Sequence, residues 1–330
     1  MNISEDTSAK ASANAPESTP KNPSENTAEA YSLANPTIMQ AVASQSYPVS
    51  TLYVVATPIG NVCDISLRAL HLLALADAIA CEDTRNTAQL LNRYGINKPL
   101  IAAHQHNERE VAEKIVARLQ AGERIALVSD AGTPGVSDPG AKIADVVRQA
   151  GLRVMPLPGA SAAISALSAS GLINDQFYFF GFLPAKAGQR DTALRSVLTI
   201  NATLIFYEAP HRIIDSITAL QTVFQGERQI VFARELTKLF EEIHRCNLSE
   251  AINWLSADPH REKGEYVILL EGAPSNLEDS QQEARHILSI LLEECSVKQA
   301  ASLAAKITGQ KKNGLYQLAL EMKQEAPDNN

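Results

Sequence analysis

No run of about 18 consecutive apolar residues occurs in this chain, so no segment reads as a membrane span. Its start has no basic cluster followed by an apolar core, which argues against a secretory signal, and its acidic balance does not suit a transit peptide. Cysteine is sparse. Cys63, Cys81, Cys246 and Cys295 are widely scattered and form no CxxC pair, which argues against a zinc site and fits a reducing cytoplasm. Net positive charge is also missing. The formal charge is −8, of which the first 48 residues supply −3 through Glu5, Asp6, Glu17, Glu25 and Glu29 against Lys10 and Lys21. The remaining −5 exerts no global pull on nucleic acid, so any such binding has to come from a local basic patch. Two phosphate-binding signatures are absent as well, the GxxxxGK loop ending in Ser or Thr and the dinucleotide GxGxxG.

What is present is a 330-residue chain with 45% hydrophobic content, enough for two packed domains with an appendage. Residues 1–48 are rich in Ser, Asn, Pro, Thr and Ala and show no hydrophobic periodicity before Leu52, so they read as a disordered tail. Over 49–172, short apolar runs alternate with helical patterns. The runs are LYVVAT, AIAC, PLIAA, RIALVS and RVMPL, and the helices fall at Leu67 to Leu75, Thr84 to Tyr94, Glu108 to Gln120 and Ala141 to Ala150. That alternation predicts a parallel α/β sheet covered on both faces, with ligands at the carboxyl ends of its strands. Over 173–273, the runs FYFFGFLP, TLIFYEAP, QIVFARELT, FEEIHRC and GEYVILLEG predict a mixed α+β domain, with FEEIHRC antiparallel to QIVFARELT. Residues 274–330 are a linker by composition, within APSNLEDSQ after Gly272, followed by three short helices broken at Ser296 and near Gly309.

The densest motif is LVSDAGTPGVSDPG, Leu127 to Gly140. It offers Asp130, Ala131, Gly132, Gly135, Val136, Ser137 and Asp138 at a strand end, with two carboxylates and no lysine. Carboxylates accept hydrogen bonds from hydroxyl pairs and attract ammonium or sulfonium groups, and they repel phosphate. The competing reading makes Asp138 the cap of the next helix, before Pro139. Similar loops follow two other strands: Thr57, Pro58, Gly60 and Asn61 after the first, and Pro158, Gly159, Ser161 and Ala162 after the fifth. The second of these leads into a helix of small residues, which suits either a flat ligand or ordinary close packing. In ACEDTRN, Asp83 reads as a helix cap, and adjacent Glu82 and Asp83 face opposite ways. His104 and His106 lack a third metal ligand and read as loop residues.

In the second domain, Glu208, His211 and Arg212 follow one strand, and Arg234, Glu235, Thr237 and Lys238 follow another. They could line a cleft or form structural ion pairs. Lys186 and Arg190 read as an exposed loop facing either phosphates or solvent. Near the C-terminus, Lys298, Lys306, Lys311, Lys312 and Lys323 against Glu321 give a local +4 on helices spaced like a helix-turn-helix.

The stretches LYVVATPIGNVCDISLRAL, ACEDTRNTAQLL, VSDAGTPGVSDPG, PLPGASAAISAL, FGFLPAKAGQR and YEAPHRI together resemble the ribosomal RNA small subunit methyltransferase I family of the tetrapyrrole methylase superfamily. The resemblance runs from about Leu52 to Met322 and leaves the N-terminal tail outside. It implies a two-domain class III methyltransferase fold with a small helical C-terminal module. It also implies a cytoplasmic homodimer that uses S-adenosylmethionine to methylate a cytidine ribose 2′-hydroxyl in the decoding region of 16S rRNA. By resemblance the loops at Pro58 and Gly60, Asp130 to Asp138, and Pro158 to Ala162 hold the cofactor. Glu208 and Glu235 are then candidate bases, Arg212 and Lys238 positioning groups, and Lys186, Arg190, Lys298, Lys311 and Lys312 RNA contacts, with no metal. A methyltransferase for a small tetrapyrrole or a protein, or a non-catalytic RNA-binding assembly factor, remains open.

Overall fold

The computed structural model describes residues 36–104, 107–224, 227–274 and 277–325. β-Branched and aliphatic runs form two five-stranded sheets. In the first, β1 (Thr51–Val55), β2 (Ala78–Cys81), β3 (Leu100–Ala102), β4 (Arg124–Leu127) and β5 (Arg153–Leu157) lie parallel in the order β3-β2-β4-β1-β5. The alternation of side chains divides its core in two. Leu52, Ala78, Ala80, Ile125 and Leu127 meet the helices Glu108–Gln120 and Ala141–Gln149 on one face. Tyr53, Val55, Ile79, Cys81 and Ala126 meet Leu67–Leu75 and Thr84–Arg93 on the other. Ser66 caps the first of these helices through Ala69 N–H at 3.1 Å, and Asp83 caps the second through Arg85 N–H at 2.8 Å.

The second sheet is mixed. β6 (Phe177–Phe182), β7 (Thr203–Glu208), β8 (Gln229–Arg234), β9 (Glu242–Asn247) and β10 (Tyr266–Leu270) take the order β6-β7-β10-β8-β9, with β6 parallel to β7 and the remaining pairs antiparallel. One face packs on the helices Ala187–Ser196, Ile213–Phe224 and Ala251–Ser256. The other face carries Ile205, Val231, Ala233, Val267 and Leu269, and receives Ala163 and Ala166 of the small-residue helix Ala162–Ala169. That helix's small residues therefore serve close packing of the first domain on the second sheet.

Two expectations about the chain's organisation need correction. Within the segment read as a tail, Pro36–Ala43 is helical, Val42 and Tyr47 are buried, and the Tyr47 carbonyl accepts a 2.9 Å bond from Arg124 Nε. Composition averaged over 48 residues hides one short helix that closes the first domain's core. Residues 1–35 and His106 lie outside the described residues. The expected linker is also shorter, because a helix begins at Leu277 and runs to Glu294. With Val297–Thr308 and Lys312–Glu325 it forms a bundle around Ala284, Leu288, Ala300, Ala301, Ala304, Leu315 and Ala319. Gly309 ends the middle helix in the left-handed conformation (φ 72°).

Candidate functional site

The carboxyl ends of β1, β4 and β5 face the inner side of the second sheet, and a cavity of about 290 Å³ lies between them. Its first-domain wall is Ile59, Ala131, Gly132, Thr133, Val136, Ser161 and Ala162. Its second-domain wall includes Phe182, Tyr207, Glu208, Ala209, Pro210, Leu236, Lys238 and Glu265. Two main-chain bonds and one from a side-chain hydroxyl tie the first wall together. Thr57 N–H donates to the Gly132 carbonyl at 2.8 Å, Gly132 N–H returns to the Thr57 carbonyl at 3.0 Å, and Thr133 Oγ1 donates to the Ala160 carbonyl at 3.0 Å.

Two close approaches hold the domains on either side of this cavity. A Cβ placed on Gly60 would lie 2.6 Å from Lys238 Cγ and 2.8 Å from Thr237 Oγ1, and Asn61 N–H donates to that hydroxyl at 3.1 Å. A Cβ on Gly181 would lie 2.8 Å from Ser137 Oγ. Gly60 and Ser137, expected in the cofactor loops, thus act at the domain contact, and neither lines the cavity. Tyr207 adds a further tie across the gap, its hydroxyl oxygen accepting Ala163 N–H at 3.1 Å.

The remaining cofactor candidates divide. Ala131, Gly132, Val136, Ser161 and Ala162 line the cavity, whereas Pro58, Asp130, Gly135, Asp138 and Pro158 do not. Asp130 accepts from Asn86 Nδ2 at 2.7 Å and from Asp83 N–H at 3.3 Å, fastening the β4 loop to the β2 loop. Asp138 does not cap the following helix. Gly140 occupies that position, and its N–H donates to the buried Glu108 at 2.7 Å. Burial, then the nearby charge of Glu82, push the Asp138 carboxyl up to about 6, with Ser129 opposing and Asp130 adding to the rise. Burial likewise raises Glu82. Asp83, bonded to the Arg85 side chain and N–H, sits at about 2. His104 lies in the loop after β3, its N–H donating to Asn107 Oδ1 at 2.8 Å. Among the described residues, no three His, Cys, Asp or Glu side chains are gathered as metal ligands.

Of the four groups expected to act in chemistry, Glu208 and Lys238 line the cavity, and Arg212 and Glu235 stand behind them. Glu208 is fully engaged. Its buried carboxylate accepts from Ser216 Oγ and from Ala209 N–H at 2.9 Å, and faces Arg212 Nε at 3.3 Å. Arg212 in turn donates through Nη2 to the Leu183 carbonyl. This is the structural ion pair that the sequence left open. Glu235 opens a turn in which it and Thr237 both adopt left-handed backbone (φ 50° and 66°), a strained arrangement for residues with side chains. Lys238 Nζ lies 2.9 Å from Glu235 Oε1 and 2.6 Å from Glu265 Oε2, and Glu265 N–H donates to Glu235 at 2.9 Å. Burial alone would raise the Glu235 carboxyl, but the Glu265 N–H and Lys238 bring it below its ordinary value. Burial opposes the Lys238 ammonium, yet the two carboxylates raise it overall, so it stays protonated.

The basic candidates also separate. Lys186, Lys298, Lys311 and Lys312 are exposed, as are Lys306 and Lys323. Arg190 is not on an exposed loop. It is 7% exposed in the helix Ala187–Ser196, with Nη1 on the Ala185 carbonyl at 3.4 Å, because the helix turns it inward beneath the loop it was expected to extend. Residues that sequence reasoning passed over include Ile59, Thr133, Phe182, Tyr207, Pro210 and Glu265. The glycine inside the aromatic run FYFFGF was the available signal for Phe182, since glycine within a strand marks a bulge or a close approach.

Comparison with known proteins accords with this architecture. The family model for tetrapyrrole (corrin/porphyrin) methylases matches residues 51–252, and the model for the RsmI C-terminal HTH domain matches residues 278–323. A protein named ribosomal RNA small subunit methyltransferase I from Pseudomonas aeruginosa is 50% identical over 82% of this chain and 97% of its own length. One of the same name from Escherichia coli O157:H7 is 50% identical over 82% of this chain and 94% of its own. The crystal structure of a diphthine synthase shares the fold with a TM-score of 0.52 at 17% identity, covering 67% of this chain and 90% of that one. With half of the aligned residues shared along nearly the whole length of those relatives, the chain belongs to the ribosomal RNA small subunit methyltransferase I family of tetrapyrrole methylases.

Proposed function

We propose that this protein transfers a methyl group from S-adenosylmethionine to the 2′-hydroxyl of a cytidine ribose in the decoding region of 16S rRNA, acting in the cytoplasm as a homodimer. The observation that carries the proposal is a cavity with two unlike walls. Among the described residues, the first-domain wall has no lysine or arginine, and the adjoining strand-end loops carry the acidic cluster of Glu82, Asp130 and Asp138, while the second presents a protonated lysine beside an exposed carboxylate. The first wall fits a cofactor that carries cationic groups and no phosphate. Ala131, Gly132, Val136, Ser161 and Ala162 would hold it, with Ile59 and Thr133 beside them. When bound, S-adenosylmethionine supplies an electrophilic methyl group on a sulfonium.

The protein's own residues then orient the ribose and exclude water. Orientation of two reacting centres contributes about 7 to 11 kcal/mol to such a transfer, so a strong base is not required. Glu208 holds the floor of the second wall. Lys238 would donate to the ribose oxygen as it loses its proton, and Glu265, the exposed carboxylate paired with Lys238 at 2.6 Å, would accept that proton. Glu235 keeps Lys238 charged and in place. The lysines of the C-terminal bundle, together with Lys186, supply the local basic surface that a chain of net charge −8 needs for an RNA partner. Leu239, 89% exposed, and Phe240, 67% exposed, extend an apolar turn beside the site that suits a second copy of the chain.

The test is methyl transfer from labelled S-adenosylmethionine to unmethylated small ribosomal subunits, followed by nucleoside analysis. The expected product is 2′-O-methylcytidine at one site. Cofactor binding without transfer to subunits or naked rRNA would shift the reading to a small-molecule or protein methyltransferase, and no cofactor binding would leave a non-catalytic assembly factor.

A further inference from the structure

The register of β6 contains an irregularity with a direct effect on the cavity. Phe177, Tyr178 and Phe179 pair with Thr203, Leu204 and Ile205, after which Gly181, not Phe180, pairs with Phe206, and Phe182 pairs with Tyr207. Phe180 is the extra residue of a β-bulge and packs into the helix-covered core against Phe206. In an unbroken strand Phe182 would point to the same face as Phe180. The bulge moves it to the face of Tyr207, on the cavity wall, where it is 52% exposed. Its ring meets Tyr207 edge-on, with centroids 5.6 Å apart and planes at 68°.

The chain beyond the ring is anchored from below. Arg212 donates to the Leu183 carbonyl and Arg190 to the Ala185 carbonyl at 3.4 Å, and the exposed Lys186 follows at once. A half-exposed phenyl ring is thus brought to the cavity wall by a specific backbone device, with an exposed lysine four residues further along the chain. Aromatic ring and cation together are the elements that bind unpaired nucleotides, the ring stacking on a base and the cation meeting a phosphate.

We infer that Phe182 is the platform on which the base of the target nucleotide stacks, so that the substrate is an RNA whose target nucleotide leaves its helix before methylation. A base inside a duplex is covered on both faces by its neighbours and offers no face to Phe182. The inference rests on the rRNA reading above and adds to it the conformational state of the substrate and a residue that selects it.

The test compares Phe182→Leu and Phe182→Tyr with the wild type, using unmethylated small subunits and measuring KM for subunits, KM for S-adenosylmethionine and S-adenosylhomocysteine affinity by calorimetry. Leu keeps the apolar bulk and removes the ring face; Tyr keeps the ring. The expected result is a rise in KM for subunits of roughly ten- to a hundredfold in F182L, near wild-type behaviour in F182Y, and unchanged cofactor parameters in both. A companion measurement uses short RNAs with the target cytidine either unpaired or locked opposite guanine, and the unpaired form is expected to be the better substrate. F182L matching the wild type, or equal rates on paired and unpaired RNA, overturns the inference while leaving the rRNA reading intact. A wild-type protein that transfers no methyl group to subunits overturns that reading, and this one with it.

Discussion

Glu208 has the residue type of a general base and the surroundings of a structural anchor. Its carboxylate is buried between Ser216, Ala209 N–H and Arg212, and Arg212 continues to the segment that carries Phe182. Glu208→Gln removes the charge that compensates Arg212, and breaking such a pair costs roughly 3 kcal/mol. Thermal unfolding should show a melting temperature lower by roughly 6 to 12 °C. A loss of transfer rate without loss of stability would restore Glu208 as a base. Asp138 offers a pH test. Burial and Glu82 lift its carboxyl from 3.8 to about 6, so the folded protein holds this proton more tightly than the unfolded chain does. The stability contributed by that proton is complete below pH 3.8 and is lost as pH rises through 6. Asp138→Asn should therefore melt higher than the wild type at pH 7, by roughly 2 to 4 °C, with the two converging near pH 4 in calorimetric scans. Local chemistry made Asp83 readable as a cap from sequence. The capping of Gly140 by Glu108 was not readable, because the two lie 32 residues apart and meet only through helix packing.

At the scale of elements, the parallel domain was legible because each strand is a continuous apolar run and each helix keeps its period. AIAC and the helices Leu67–Leu75 and Glu108–Gln120 fall where the pattern placed them. The three strand-end loops were legible as a group, yet which of their residues reach the cavity was not. Gly60 illustrates why. A glycine that lets a ligand approach and one that lets a second domain approach look the same in a sequence, and here the partner is the turn at Thr237 and Lys238. Gly60→Ala introduces a methyl group 2.6 Å from Lys238 Cγ, and overpacking of this kind costs about 1 to 3 kcal/mol. The expected outcome in steady-state kinetics is a higher KM for both cofactor and rRNA, since the wedge separates the two walls. A variant with unchanged KM values would show that the contact does not set the spacing of the cavity.

Across the whole molecule, the two sheets and the helical bundle have separate cores. The bundle's core includes Ala284 and Leu288 of its first helix, so a truncation at Ser296 would cut through it. Removal of residues 277–330 takes the entire bundle. The expected effect is a marked loss of affinity for small subunits and a flatter salt dependence, with cofactor affinity within about twofold of wild type, because released lysines no longer displace counterions. Filter binding at several salt concentrations reads this directly. Unchanged subunit affinity would remove the bundle from the RNA surface. Gly60 against Lys238 and Gly181 against Ser137 have one more consequence. At each glycine a side chain of the other domain rests on bare backbone, so the two positions act as the stops of a calliper and fix how near the sheets can come. The least width of the gap between the two walls is thus set by two missing methyl groups.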